Sequence, residues 1–255
     1  MVTGSENLLG EFLGTMVLLV LGCGVCANLT LNKSKGVGGG WICIAFGWGF
    51  GVTFGVFTAT TFGAPQADLN PAVTLAKTFA GVYTFGQFIT TSLVQILGGI
   101  VGATIVWLTY LAHWEETSDP AAKLGIFSTA PAIRKMGPAL LTEISATFFL
   151  MFLIWMTFSS CFGYSAETAA NTFLGNGYGP YIVGMLIVAL GLSLGGPTGY
   201  AMNPARDLGP RIAHAILPIP GKGGSDWEYA WVPVVGPLLG ATLSYVVCSA
   251  LGYFH

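Results

Sequence analysis

Apolar residues along this chain run in long unbroken stretches, without the two-residue alternation of strands or the narrow stripe of a soluble helix. Six stretches, residues 8–28, 41–61, 87–111, 138–162, 180–194 and 231–253, come near or exceed the roughly 20 residues a helix needs to cross hydrocarbon. Helices apolar on every side belong in lipid or in a large core, so the pattern predicts an all-α membrane protein with six transmembrane crossings. Two shorter apolar pieces, residues 71–80 and 204–216, cannot span, and each begins with Asn-Pro-Ala. They are predicted to be re-entrant half-helices.

The two halves of the chain echo one another. Residues 11–15, Glu-Phe-Leu-Gly-Thr, return as Glu-Ile-Ser-Ala-Thr at 143–147, a shift of 132 (143 − 11), and the Asn70 tripeptide returns at Asn203, a shift of 133 (203 − 70). Near-equal shifts argue for duplication, which is frequent in channel and transporter folds. Each half has three crossings, an odd number, so the second copy enters from the opposite side and the repeat is inverted. The chain reads as one channel domain, 1–255, made of inverted repeats at about 7–112 and 138–254. The half-helices then come from opposite faces.

With 8% charged residues and 53% hydrophobic ones, against about 25% charge in a soluble domain, the chain cannot clothe a water-facing globule. A net charge of −2 gives no footprint for nucleic acid. Lys33 and Lys35 fall in the first connection, Lys77 in the second, and Lys123, Arg134 and Lys135 in the third; the positive-inside rule would make the first and third cytoplasmic. The first apolar run has no Lys or Arg before it and continues for about 20 residues, which reads as a span and not a cleaved signal. Cys23 and Cys26 form a C-x-x-C, but they sit among Gly22, Gly24 and Ala27, where small residues let helices approach, so packing is expected. Cys43, Cys161 and Cys248 stand apart, and His113, His214 and His255 lack metal-like partner spacing. Neither a metal nor a cofactor is expected. Spacing unites no nucleophile with a base, so no enzyme is expected either.

Proline suits the first helical position, where its missing N–H would go unpaired anyway, and asparagine suits the cap before it. Asn70, Pro71 and Ala72, like Asn203, Pro204 and Ala205, therefore start helices. One such tripeptide in a soluble protein would be an ordinary helix N-terminus; two, placed symmetrically among six spans, mark a pathway. Non-helical backbone at membrane depth survives only inside protein or along a wet cavity. Residues 64–69 and 196–202, rich in Gly, Pro and Ala, are such backbone. The carbonyls of Gln66, Ala67, Asp68 and Leu69, and of Gly199, Tyr200, Ala201 and Met202, are expected to form a ladder of acceptors down one pore wall. The Asn70 and Asn203 amides can donate to a passing hydroxyl or water. Each half-helix N-terminus, at roughly +0.5 of a charge, repels cations.

Paired Asn-Pro-Ala motifs in an inverted repeat resemble the major intrinsic protein family of channels, and the resemblance covers essentially the whole chain. Residues 195–211 are similar to the glycerol-facilitator branch, where an aspartate, here Asp207, directly follows the motif arginine, here Arg206. Residues 211–220 and 225–233 look most like channels of Gram-positive lactic-acid bacteria, some of which pass lactic acid. The resemblance implies a passive pore in the cell membrane for glycerol, water and undissociated lactic acid. It also implies a homotetramer in the lipid bilayer, and places the first and third connections outside, against the charge bias. By the same resemblance, Trp48, Gly191, Tyr200 and Arg206 make the narrowest point, with Gly191 standing where water-selective relatives carry histidine and so leaving room for a carbon chain. Trp48 taken alone could equally be an interfacial or lipid-facing aromatic, whereas a charge at the depth of Arg206 defaults to function. Glu11 and Glu143 resemble buried acids that hold the half-helix loops, and Asp207 is expected to bond loop groups or balance Arg206. Asp68 departs from the family, which usually has histidine two residues before the first motif asparagine. An acid there either alters gating, pH response or anion exclusion, or is simply solvated. The alternative function, an ion- or proton-coupled transporter, would need Glu11, Glu143, Asp68, Arg206 or Asp207 to change protonation along the path.

Overall fold

A computed structural model describes residues 5–158 and 178–254. Among them the chain forms nine α-helices: α1 Ser5–Thr30, α2 Trp41–Thr61, α3 Pro71–Phe79, α4 Phe85–Thr109, α5 Pro120–Phe127, α6 Met136–Thr157, α7 Gly179–Leu194, α8 Pro204–Ile216 and α9 Val232–Ala250. Helices α1, α2, α4, α6 and α9 are long and apolar enough to cross a membrane. Helix α7 is apolar throughout its 16 described residues and stands where the sequence places the fifth crossing, so these six apolar helices correspond to the six crossings read from the sequence. Positions 159–162 of the fourth sequence span, Cys161 with them, and His255 lie outside the described residues.

Helix α1 packs against α2 and α4, and α6 against α7 and α9; α4 carries α8 as α9 carries α3, and α2 meets α7. Exchanging α1, α2, α3 and α4 for α6, α7, α8 and α9 maps this set of pairings onto itself. Among the described helices, α5 alone has no counterpart. Close approach of backbones makes these contacts. A Cβ on Gly102 of α4 would stand 2.5 Å from the Met16 carbonyl oxygen of α1, and one on Gly49 of α2 would stand 2.7 Å from the Gly184 carbonyl oxygen of α7. Gly98 faces the Phe12 carbonyl, and Gly240 the Ile144 carbonyl, more tightly still. Helices in lipid gain nothing from burying apolar surface against each other, so packing of small residues is what joins them.

The distribution of side chains is inverted relative to a soluble protein. Phe46, Phe50 and Phe54 of α2, Leu93 and Leu97 of α4, Leu141 and Phe149 of α6, and Leu239 and Leu243 of α9 face outward. Glu11, Gln95, Glu143, Asp207, Arg211 and His214 are fully buried. The first and third connections lie on one face: the Asn32 amide N–H donates to Thr117 Oγ1 at 2.9 Å, and Lys33 pairs with Glu116 at 2.7 Å. The third connection then crosses to the backbone preceding α8, where the Ala132 N–H donates to the Pro197 carbonyl at 2.9 Å.

The packing makes a contrast that thermal unfolding in detergent can read. Gly102→Ala forces α4 off α1 and should destabilise by about 1–3 kcal/mol, the range for overpacking a tight contact. Gly24→Ala, where an added Cβ meets nothing within 4 Å, should be neutral or stabilising by up to about 1 kcal/mol. Equal melting temperatures for the two variants would contradict the close approach.

Candidate functional site

Two stretches of non-helical backbone enter the interior ahead of α3 and α8, and each is held by a buried carboxylate. Glu11 Oε1 accepts from the Asp68 N–H at 2.7 Å and Oε2 from the Leu69 N–H at 2.8 Å, while Gln95 Nε2 donates to Oε2 at 2.9 Å. Glu143 does the same for the second half: it accepts from the Ala201 N–H at 3.0 Å, the Met202 N–H at 2.9 Å and Thr198 Oγ1 at 2.7 Å. Successive N–H groups converge on one anion when neighbouring residues alternate between right- and left-handed backbone. The left-handed members here are Ala67 and Leu69 at φ 43° and 53°, and Tyr200 and Met202 at φ 39° and 48°. A non-glycine residue in that region costs of order 1–3 kcal/mol, and the carboxylates are what over-determine it.

At the inner ends the two halves touch. Asn70 caps α3 by accepting from the Ala72 N–H at 2.9 Å, and Asn203 caps α8 by accepting from the N–H groups of Ala205 and Arg206 at 2.9 and 3.2 Å. Their amide groups then cross over: Asn70 Nδ2 donates to the Met202 carbonyl and Asn203 Nδ2 to the Leu69 carbonyl, both at 2.8 Å. Each carboxamide has two N–H donors. One is thus spent on the other half of the chain. The carbonyls of Leu69 and Met202 are spent with them, and the Gln66 carbonyl accepts from Lys77 Nζ at 3.0 Å, so these three members of the sequence ladder already have partners.

A cavity of about 810 Å³ runs past this junction. Its lining includes the non-helical residues 65–70 and 200–203 together with the apolar side chains of Leu18, Val52, Val56, Leu150, Ile154 and Ile187. Trp48, Tyr200 and Arg206 are part of the same lining. Trp48 is 4% exposed and faces neither lipid nor interface, and the Arg206 guanidinium lies over its ring at 4.0 Å. Arg206 also donates to the Phe127 carbonyl at 3.3 Å. Gly191 is not the open space its lack of a side chain suggests: a Cβ there would meet the Tyr200 ring at 2.8 Å. Tyr200 fills the gap, and its ring takes Trp41 edge-on at 5.7 Å while Trp41 Nε1 donates to the Gly191 carbonyl at 2.8 Å. Trp41 was missed by the sequence because it reads there as the first residue of a span.

Asp207 bonds loop groups and balances Arg211 in place of Arg206. Its Oδ2 accepts from the Thr129 N–H at 2.7 Å and Thr129 Oγ1 at 2.6 Å, and its Oδ1 pairs with Arg211 at 2.8 Å. Arg211, which the sequence reading passed over, continues to the carbonyls of Thr129 at 2.9 Å and Ser225 at 2.8 Å. Lys222 reaches the carbonyls at the end of α8, those of His214, Ala215 and Leu217, a cation where the helix dipole favours one. Asp68 is not solvated: its side chain is 0% exposed and pairs with Lys77 Nζ at 2.5 Å. Cys23 and Cys26 are buried and unbridged in α1, inside the main apolar cluster.

Two measurements follow from this bonding. Glu143→Ala leaves the N–H groups of Ala201 and Met202 without an acceptor, at about 1–3 kcal/mol for each buried donor, and the melting temperature of the detergent-solubilised protein should fall well below that of the parent. The second concerns the pair Arg134–Asp226, bidentate at 2.9 and 2.7 Å, which ties the third connection to the loop after α8. Hydrogen bonding from Arg134 holds the Asp226 carboxyl below its ordinary 3.8. A depressed folded value means stability present above the unfolded value and lost as pH falls through the folded one. Amide exchange of residues 128–135, corrected for intrinsic rates, should therefore quicken below pH 3.8 in the parent but be already fast in Asp226→Asn; acid quickening of equal size in both would remove the pair as the cause.

Comparison with known proteins gives a consistent set of similarities. Residues 2–248 match the family profile described as MIP, major intrinsic protein. The glycerol uptake facilitator protein 3 of Lactiplantibacillus plantarum is 50% identical over 245 residues, covering 96% of both chains. The glycerol uptake facilitator protein of Bacillus subtilis is 49% identical over 241 residues, 94% of this chain and 83% of that one. Among solved structures, the aquaglyceroporin from Plasmodium falciparum superimposes with a TM-score of 0.80 at 26% identity, covering 97% of this chain and 98% of that one.

Proposed function

Because the chain belongs to the major intrinsic protein family, multi-pass membrane channels and not enzymes, we propose that it conducts glycerol, together with water and undissociated lactic acid, through the cavity at the half-helix junction. Two bacterial relatives about half identical to it are called glycerol uptake facilitators. The observation that carries the reading is that Trp48, Tyr200 and Arg206, with the Arg206 guanidinium over the Trp48 ring, line a cavity bordered by both polar backbone and apolar side chains. A polyol has the same division, hydroxyls along one edge and C–H groups along the other.

In this reading Trp48 and Tyr200 are the corner against which the C–H edge slides, with Gly191 admitting the Tyr200 ring. Arg206 and the carbonyls of Ala67, Asp68, Gly199, Tyr200 and Ala201 receive the hydroxyls. At the junction the second N–H of Asn70 and of Asn203 meets the solute. Half-helix N-termini and an arginine are the general means by which channels of this family exclude cations and protons. Glu11 and Glu143 act as braces of the pore wall, Asp207 as a tie for the third connection. Coupled transport is disfavoured because both glutamates are occupied by two backbone N–H groups each. One channel domain then comprises the whole chain as two inverted copies, at about 7–112 and 138–254. The first and third connections are taken as the outer face. The charge bias against this is weakened by pairing: Lys33 with Glu116, Arg134 with Asp226, and Lys123 buried with its ammonium on the Pro220 carbonyl. By family resemblance the assembly is a homotetramer with one pore per subunit.

Stopped-flow light scattering on proteoliposomes tests the solute. Glycerol should pass far faster than through empty vesicles, and lactic acid uptake should rise as pH falls toward the acid's own pKa, since an apolar constriction rejects the anion. Water flux without glycerol flux would overturn the glycerol reading; a flat pH profile would overturn passage of the neutral acid.

A further inference from the structure

Among the described residues, three charged side chains border the cavity: Arg206, Asp68 and Lys77. Arg206 lies over the Trp48 ring and donates to the Phe127 carbonyl, neither of which cancels its charge. Lys77, in the last turn of α3, reaches back to the wall, donating to the Gln66 carbonyl at 3.0 Å and pairing with Asp68 Oδ1 at 2.5 Å. The partners are not equally exposed. The Lys77 side chain is 16% exposed and that of Asp68 is 0%, so of the two it is Lys77 that solvent can reach. The backbone at Asp68 is held by its N–H bond to Glu11. Near it stand Tyr83, whose hydroxyl lies beside Asp68, and Glu11, already occupied by two N–H groups and Gln95.

A cleft with low-dielectric walls and charge of one sign focuses its field and raises the local concentration of counter-ions. Lys77 without Asp68 would make the cavity such a cleft, with its positive field added to that of Arg206. We infer that Asp68 is a specificity-determining residue of the channel: by pairing with Lys77 it keeps the ammonium electrically silent, so that small carboxylate anions do not lodge there and obstruct neutral solutes. The inference rests on the channel reading above. It assigns a purpose to the acid that stands where the family usually has histidine. The competing role is mechanical, with Asp68 only steadying Lys77 on the Gln66 carbonyl.

The full-length protein in proteoliposomes at neutral pH separates the two. Glycerol and water fluxes are measured by light scattering in potassium formate and in potassium gluconate, formate being small enough to enter and gluconate too large. The parent should show the same rates in both salts. Asp68→Asn should lose about tenfold in formate relative to gluconate, the low end of the counter-ion enrichment a focused field produces. Asp68→Asn combined with Lys77→Met should lose that sensitivity. Equal rates for Asp68→Asn in the two salts, or formate sensitivity persisting in the double variant, would overturn the inference. If Asp68→Asn fails to insert, the double variant decides: insertion with salt-independent water flux supports the pairing role, and failure of the double variant as well shows the carboxylate is needed for something other than the ammonium. Water is read alongside glycerol so that a parent passing water alone would sink the glycerol reading and leave this one testable.

Discussion

A peptide N–H without a partner in hydrocarbon costs several kcal/mol, and the whole interior of this protein is organised around four that a helix cannot satisfy. They belong to Asp68, Leu69, Ala201 and Met202, and the carboxylates of Glu11 and Glu143 take two each. With the donors held from behind, the carbonyls of Leu69 and Met202 turn to the cap asparagines of the opposite half. The left-handed residues at 67, 69, 200 and 202, the cap asparagines and the short helices behind them are all consequences of that attachment. Small residues on α1, α2, α4, α6, α7 and α9 serve it indirectly, since only closely approached helices bring two glutamates within reach of the loops.

Charge inside the protein follows a rule of local compensation. Asp207 meets Arg211, Asp68 meets Lys77, and Lys222 meets the carbonyl end of α8. Arg206 is the exception among the cavity-lining charges, satisfied by a ring face and a carbonyl. A guanidinium tolerates such partners better than an ammonium does, being weakly hydrated, planar and able to stack. Among the described residues, one cation of the cavity lining, Arg206, has no carboxylate partner, and the other, Lys77, is paired with Asp68.

Much of the architecture was legible in the sequence because it rests on local signals. Apolar run length marked the spans, Asn-Pro the two half-helix starts, and the near-equal spacing of Glu11 with Glu143 and of Asn70 with Asn203 the duplication. What escaped depends on side chains meeting across long separations. Nothing in the order of residues says that the Tyr200 ring would occupy the space at Gly191, since that requires α7 and the loop before α8 to be placed first. Trp41 and Arg211 were invisible for the same reason: each acts on a partner from another element, the Gly191 carbonyl for one and the Thr129 and Ser225 carbonyls for the other. Asp68 looked like a loop residue open to water because its partner, Lys77, sits nine positions on, at the far end of a helix that has to form before the two can meet.

The crossed bonds of the two cap asparagines have a consequence for biosynthesis. Each carboxamide completes itself on a carbonyl contributed by the other half of the chain, so neither half contains a finished passage. A ribosome delivering the first half into the membrane leaves Asn70 facing a site that Met202 has yet to fill. Closure comes only when the last third of the polypeptide arrives. A partly made chain therefore lacks the junction that these two bonds close.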